Sequence, residues 1–517
     1  MNNDTNNEGV DIDLFLRYLF NGEMQHIKIH SNLLVGCIIF GIYLATIAPG
    51  LSWANYGSDG GDLISAAYTG GIPHPTGYPV YIIFAAIFQK LPFGSLAFRT
   101  NLLSACAMTL TAMLIKNIVE RATNNWFSGV VSSFVFAWYP LVWSQAIITE
   151  VYGLHSVFFA ILIYLLLRPK PVDGKVGFVL GLSIGNHLTS LLLVPGILLV
   201  WLSDWHVGGA SANAKMILAS FVNKIKNLGY MFLGMILGLT PYFLLPIRSL
   251  SSAPIVWGDS STLEGFLWMV SGQMYQENLL PILLEFPSDG PLEMIGLSVK
   301  FGFLGIPLIL AGILPLLRNR SLAWITLTSS IIFSIFSLKY GVVDAHVYLI
   351  PVVVVLAIWF GLGVSEIMTI AKRVGMQWVP RLIGIVLILG SISHLIQHWN
   401  QVDASRDVRA EEFGMVVLKA LPAHALVITN GDRSTFALWY FHFALERRPD
   451  IRLVASELIS YDWYRNRLQK TYPDISVPQN PDPTWITSFE KENPDRQICH
   501  VYYDNEAHVY CGYQNAP

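Results

Sequence analysis

Charge is scarce in this chain. Only 13% of its 517 residues are Asp, Glu, Lys or Arg, while 53% are hydrophobic; a soluble protein of this size is normally about 25% charged. Such a composition defines a polytopic membrane protein. Its 32 basic and 35 acidic residues nearly cancel, so there is no concentrated basic face, and a nucleic-acid partner is excluded. Nucleotide-binding signals are missing too: no Walker loop and no glycine-rich dinucleotide fingerprint follows a strand. Cysteine is rare, with four in all. Cys37 and Cys106 fall in apolar runs, and no histidine has zinc spacing to a cysteine. No metal and no resident cofactor is therefore indicated.

The few charges are unevenly placed. Residues 401–517 hold 28 of the 67 charged side chains, which marks a water-exposed domain from about residue 400. Ahead of it, apolar stretches of roughly 20 residues can cross a bilayer. They run at about 31–49, 98–118, 127–146, 152–168, 229–247, 296–316, 321–338, 347–369 and 382–398. The stretch 176–203 is too long for one crossing and carries "GNHLTS" in its middle, so it reads as two short helices meeting at 185–190. Eleven spans are expected. About thirty mixed residues precede the first run and no small-residue cleavage site follows it, so it is expected to stay as an anchor.

Orientation follows from Lys and Arg, which collect in cytoplasmic loops. With the N-terminus inside, the cytoplasmic linkers carry thirteen, among them Lys116, Arg121, Lys170 and Arg318. The opposite linkers carry five: Lys90, Arg99, Arg248, Lys300 and Lys339. This requires residues 80–92 to form a re-entrant or interfacial helix. The expected division is a cytoplasmic segment 1–30, a membrane domain 31–399 with a first outer loop at 50–97, and an extracytoplasmic α/β domain 400–517. Five polar segments then fall on the outer side: "SDGGDLIS…HPTGYP", "WSQAIITEVYGLH", "GNHLTS", "PIRSLSSAPIVWGD" and "KYGVVDAHVY". The cytoplasmic linkers carry only generic charge, and the one D-x-D, Asp11 to Asp13, lies among them. That argues against a metal-bound nucleotide sugar at an outer site.

In "DGGDLISAAY", Asp59 as N-cap with Asp62 three residues on resembles a capping box opening a short helix. A carboxylate at headgroup level with no cation in sequence reach is also a candidate general base, since partial desolvation raises its pKa. His74, fixed between Pro73 and Pro75, suits hydrogen bonding to an anionic or hydroxyl group, or capping of a neighbouring helix. Gln145 and Glu150 sit at the outward end of the third span, where ionisable groups are costly and usually functional; a solvated Glu150 is the plainer alternative. His187 lies in a break at membrane depth, tolerated only where protein or a polar cavity surrounds it. Arg248 suits a phosphate clamp or lipid headgroups. Trp257, Asp259 and Tyr275 are of the sort that bind sugars, and Asp344 and His346 complete the outer ring. In the tail, "ALVITNGD" reads as strand and loop before a helix. "ICHVYYDNEAHVYC" reads as a hairpin about Asn505 that could join Cys499 to Cys511 in an oxidising exterior, with reduced, packed cysteines as the default.

Taken together these segments resemble the transmembrane protein 260-like protein O-mannosyltransferases. That family's acidic pair followed by H-P-P-G-Y-P stands here as Asp59-Gly-Gly-Asp62 and "HPTGYP", and "FRTNLLSA", "WSQAIITEVYGL", "GLSIGNHLTSLLL" and "PIRS…WGD" look like its further blocks. Asp62 stands where Glu is usual, and Thr76 replaces the second proline. The resemblance implies a GT-C fold, with the catalytic acidic residue in the first outer loop and a polyprenyl-phosphate sugar, expected to be a mannose, as donor. The acceptor expected is a protein or glycan hydroxyl, by inverting displacement. It assigns Asp59 or Asp62 to catalysis, with Asp59 preferred and capping the expected job of Asp62. His74, His187 and Arg248 would hold the phosphate. Tyr78, Gln145, Glu150, Trp257 and Asp259 would line the sugar or acceptor side. The expected location is a bacterial cytoplasmic membrane. A transporter or lipid flippase for a lipid-linked saccharide is the rival, and predicts repeat symmetry and midplane polar groups, neither of which stands out; a catalytically dead receptor would need only the tail.

Overall fold

The computed structural model describes residues 28–169, 171–204, 214–283, 305–342, 344–479, 481 and 485–512. Asp11, Asp13, Lys170, Lys300, most of the expected N-terminal segment and the start of the expected span 296–316 lie outside the described residues.

Apolar sequence sets the helices, and local capping ends them. In chain order the principal ones are α1 (Lys28–Thr46), α2 (Gly60–Thr69), α3 (Pro79–Phe88), α4 (Leu96–Thr123), α5 (Trp126–Ala137), α6 (Pro140–Ala146) and α7 (Tyr152–Leu166). They continue with α8 (Gly174–Asn186), α9 (Val194–Ser203), α10 (Ala214–Gly238), α11 (Arg320–Lys339), α12 (Ile350–Arg373) and α13 (Trp378–Val402). Ser95 opens α4 by accepting the Phe98 amide at 3.0 Å, and Asn319 opens α11 by accepting that of Leu322 at 3.1 Å, each satisfying an orphan donor of the first turn.

Five described helices are long and apolar enough to cross a membrane, or six if the pair α5–α6, bent by 70°, counts as one span. Shorter apolar helices of 10–17 residues supply further segments at Ser31–Thr46, Pro79–Phe88, Tyr152–Leu166, Leu188–Ser203 and Gly305–Arg318. Each expected span has helix within it, and α8 and α9 are separate, with an extended His187 (φ −155°, ψ 127°) between α8 and a 3₁₀ turn, Leu188–Leu193, that leads into α9. Of residues 80–92, those up to Phe88 belong to the short helix α3, ten residues long. Length and composition do not by themselves yield eleven crossings. Helix α12 is almost wholly buried and forms the centre of the bundle, whereas α13 is mostly exposed at its edge. Helices α8 and α10 touch backbone to backbone. A Cβ on Gly177 would lie 1.8 Å from the carbonyl oxygen of Met231, a small-residue interface of the kind membrane helices use.

After Val402 the chain forms a compact α/β domain: α14 (Arg409–Ala420), β1 (Leu426–Thr429), α15 (Asp432–Trp439), β2 (Arg452–Ala455), β3 (Ile498–Asp504) and β4 (Glu506–Cys511). The sheet order is β2-β1-β3-β4, with β1 parallel to both neighbours and β3–β4 an antiparallel hairpin. Cys499 and Cys511 face each other across the hairpin and form a disulfide, in place of the reduced default.

This domain is seated on the helical bundle by half-buried polar contacts. Asp407 accepts hydrogen bonds from Ser52 Oγ at 2.7 Å and from the amides of Trp53 and Ala54 at 2.9 and 2.7 Å. Arg467 donates to the carbonyls of Ser249, Ser251 and Ala253. The closest approach is at Gly61, in the first turn of α2, where a Cβ would lie 2.2 Å from the carbonyl oxygen of Phe436 in α15. Gly61→Ala is therefore expected to destabilise the protein by ~1–3 kcal/mol, the usual cost of overpacking, seen as earlier thermal unfolding. Melting unchanged from wild type would refute the backbone contact.

Candidate active site

The five polar segments singled out in the sequence meet in one place. Residues from each of them line a cavity of about 980 Å³, among them Asp59, Tyr152, His187, Trp257 and Asp344. The α/β domain supplies the remaining wall through Asn430–Ser434, Glu457, Leu458 and Tyr503.

The two aspartates of "DGGD" have different surroundings. Asp62 is fully buried. Its Oδ2 accepts the His74 backbone amide at 2.9 Å and lies 2.7 Å from His74 Nδ1, and its Oδ1 accepts Trp257 Nε1 at 3.2 Å. The helix-capping expectation is thus corrected: Asp62 spends both oxygens on His74 and Trp257, and Asp59, at the N-cap position, makes no side-chain capping bond. Buried carboxylates take the strongest donors within reach, and the His74 imidazole and amide and the Trp257 indole here stand in for the first-turn amides of α2. Asp59 accepts Ser58 Oγ at 3.1 Å and is 34% exposed toward the cavity.

His74 stands between them. With Nδ1 held by Asp62, its Nε2 faces the cavity, 3.1 Å from the Tyr78 hydroxyl and 3.6 Å from Asp59 Oδ2. Burial pulls the imidazole pKa down, but the Asp59 and Asp62 carboxylates outweigh it and raise it to about 9. His74 is then an imidazolium at neutral pH, with both nitrogens as donors. The same crowding acts on other carboxyls: burial, reinforced by Asp59, raises Asp344 and lifts Asp432 to about 6. Glu150 is also pushed up by burial and by Asp59 and Asp344.

The other predicted residues divide. Tyr78, His187 and Trp257 line the cavity with Asp59 and His74, and the Tyr78 and His187 rings lie 5.9 Å apart. Glu150 is buried behind the wall. Gln145 Nε2 donates to the Asn55 carbonyl at 3.1 Å, supporting the loop that carries Tyr56 and Ser58. Arg248 does not reach the cavity; its Nη1 donates to the Gly71 carbonyl at 2.9 Å. Asp259 also lies outside, bonded to Ser249 and Ser261. His346 packs its ring on Tyr56 at 5.0 Å. Sequence reasoning missed the Asn430–Ser434 loop. Its signal was the polar "NGDRS" after β1, at the carboxyl end of a parallel strand, where open α/β sheets place ligands.

With this geometry in view, the architecture is that of an α-helical, GT-C-like polytopic membrane protein with a small α/β domain. Solved structures of ArnT from Cupriavidus metallidurans, one bound to undecaprenyl phosphate and one in the apo state, share it with TM-scores of 0.56 and 0.57, at 12% identity over 92% of this chain and 93% of theirs. Residues 59–207 match the protein O-mannosyl-transferase TMEM260 N-terminal domain, and residues 410–507 match TMEM260-associated domain 2. Protein O-mannosyl-transferase TMEM260 of Mus musculus is 26% identical over 468 residues, 82% of this chain and 62% of the relative. Its namesake in Dictyostelium discoideum is 25% identical over 507 residues, 87% of this chain and 59% of the relative. The chain thus spans about three-fifths of the length of these relatives. Over these two segments it is similar to the TMEM260-like proteins, and its fold is GT-C-like.

A raised histidine pKa has a defined consequence for stability. The ionic bonds of His74 contribute fully below its ordinary value of 6.5 and are lost as pH rises through about 9. Thermal unfolding of wild type is therefore expected to weaken between pH 7 and 10 more steeply than that of His74→Gln. Parallel profiles would show that His74 is not held as an imidazolium.

Proposed function

We propose that the protein is a membrane glycosyltransferase that moves a sugar, mannose, from a polyprenyl-phosphate donor to a hydroxyl of a protein Ser or Thr. The observation that carries this reading is the open Asp59 carboxylate beside a His74 fixed by Asp62, in a large aromatic cavity of a TMEM260-like fold. In this reading the cavity opens on the outer membrane face, with the N-terminus cytoplasmic and the α/β domain outside; the Cys499–Cys511 disulfide accords with an oxidising compartment.

Asp59 accepts the proton of the acceptor hydroxyl as its oxygen attacks the anomeric carbon. The bond from that carbon to the phosphate oxygen breaks, polyprenyl phosphate departs with the electron pair, and the anomeric centre inverts. Asp62 is a positioning residue: it fixes the direction of the His74 ring and favours its protonated form, as the aspartate of a catalytic triad stabilises its imidazolium. His74 presents positive charge to Asp59 and to the departing phosphate. Tyr78, Tyr152, Tyr275 and Trp257 offer flat faces with polar edges to a pyranose, and Leu188, Leu191, Leu192 and Phe336 give an apolar flank for the lipid. The donor arrives already activated, so the scheme calls for no resident cofactor or metal.

Purified protein is expected to transfer label from a polyprenyl-phosphate mannose to a Ser/Thr peptide. Asp59→Asn should lower the rate by ~10²–10⁴-fold, the usual contribution of a general base. Asp62→Asn should slow the reaction through a misdirected His74 and shift the alkaline limb of its pH profile to lower pH. Full activity in Asp59→Asn would sink the mechanism, and no transfer from any polyprenyl-phosphate sugar would turn the reading toward transport.

A further inference from the structure

The cavity has one built feature that the membrane domain does not supply. Among the described residues that line it, Arg433 is the one Lys or Arg side chain. It stands in the first turn of α15, just past the carboxyl end of the parallel strand β1. The other cation expected to meet a phosphate, Arg248, is turned away to the Gly71 carbonyl.

Arg433 is also unspent. Six other arginines of the α/β domain are consumed by structure: Arg409 by Asp407, Arg448 by Asp450, Arg452 and Arg496 by Asp474, Arg465 by Asp462, and Arg467 by backbone carbonyls; Arg406 and Arg447 do not line the cavity. Arg433 makes no hydrogen bond or ion pair with any described residue, although Asp59, Asp344, Asp432 and Glu457 line the same cavity. An unpaired guanidinium in a cavity with four carboxylates is a fork of donors left open for an anion. Ionised carboxylates there repel a phosphate, so an anionic ligand settles where Arg433 and the His74 imidazolium face the cavity.

We propose that Arg433 binds the phosphate of the lipid-linked donor, so that the α/β domain completes the donor site. This rests on the polyprenyl-phosphate reading above and adds that the second domain is part of the substrate-binding machinery. Holding the phosphate of both donor and product, Arg433 acts mainly on binding and little on the proton transfer at Asp59.

The test uses the full chain in nanodiscs with three probes: undecaprenyl phosphate, undecaprenol and inorganic phosphate. Wild type is expected to bind undecaprenyl phosphate well above undecaprenol, and Arg433→Ala to weaken the phosphate lipid by about tenfold to a hundredfold, the range for a lost charged hydrogen bond, leaving undecaprenol unchanged. Arg433→Lys should restore part of the loss. In the transfer assay KM for the donor should rise while kcat moves little, which a merely structural role would not produce. Undecaprenyl phosphate bound equally by wild type and Arg433→Ala would overturn this assignment and leave the donor reading intact. Wild type that does not distinguish undecaprenyl phosphate from undecaprenol would overturn both. Inorganic phosphate displacing the lipid at equal concentration would define a free-phosphate site and overturn the lipid assignment.

Discussion

The buried carboxylate of Asp62 is the constraint on which the cavity depends. It has no exposure, and its two oxygens receive one backbone amide, one imidazole and one indole. Breaking a buried charged pair by removing one partner costs ~3–5 kcal/mol, so these donors are held firmly. Three stretches distant in sequence are tied by this one group: the first turn of α2, the "HPTGYP" turn and the Trp257 segment. The last two also meet through the backbone, with Ile72 bridging to Val256. Gly71 allows it, because a Cβ there would lie 2.0 Å from the Ile255 carbonyl oxygen. With Asp62 committed inward, Asp59 three residues earlier is the carboxylate left facing the cavity.

The α/β domain is a wall of that same cavity. Helix α15 backs onto α2 at Gly61, and Trp257 stands among Phe436, Trp439 and Trp463 of the domain, with ring centroids 5.8–6.2 Å apart. The indole that donates to Asp62 is therefore itself positioned by the second domain. A disturbance of the domain seating would reach His74 through Trp257 and Asp62, by direct contact at each step. This coupling explains why Gly61 stands beside Asp62: the first turn of α2 must lie against another helix backbone on one side and carry a buried carboxylate on the other.

Much of this was legible in the sequence, and the failures are instructive. Polar segments in an apolar chain, sorted by the Lys and Arg bias, identified the linkers that meet at the cavity, and the break at His187 was visible because no single crossing accommodates residues 176–203 with a polar centre. The role of Asp62 was not legible. A capping box is local, whereas the partners of Asp62 lie 12 and 195 residues away, and a single sequence carries no trace of such distances. Arg248 failed differently: its position was right, but the carbonyl of Gly71 is a nearer acceptor than anything in the cavity. Arg433 was overlooked because a charged loop on a water-exposed domain is ordinary until the domain is seen to close over the site.

Charge in the cavity raises a last question, since an anionic donor must enter a space lined by four carboxylates. The answer lies in how they titrate. Two of the four, Asp344 and Asp432, are pushed up by burial and by Asp59, Asp432 to about 6, and Glu150 behind the wall is raised in the same way, so these groups hold protons to higher pH than free carboxyls do. The negative charge is thereby diluted around Asp59, which alone among the cavity carboxylates faces the cationic Nε2 of His74. Each carboxyl that holds a proton removes a repulsion from the phosphate. Burial raises the carboxyls and by itself would lower His74, but the Asp59 charge raises them all, so protons are held on both kinds of group and an acidic pocket becomes one that an anion can enter.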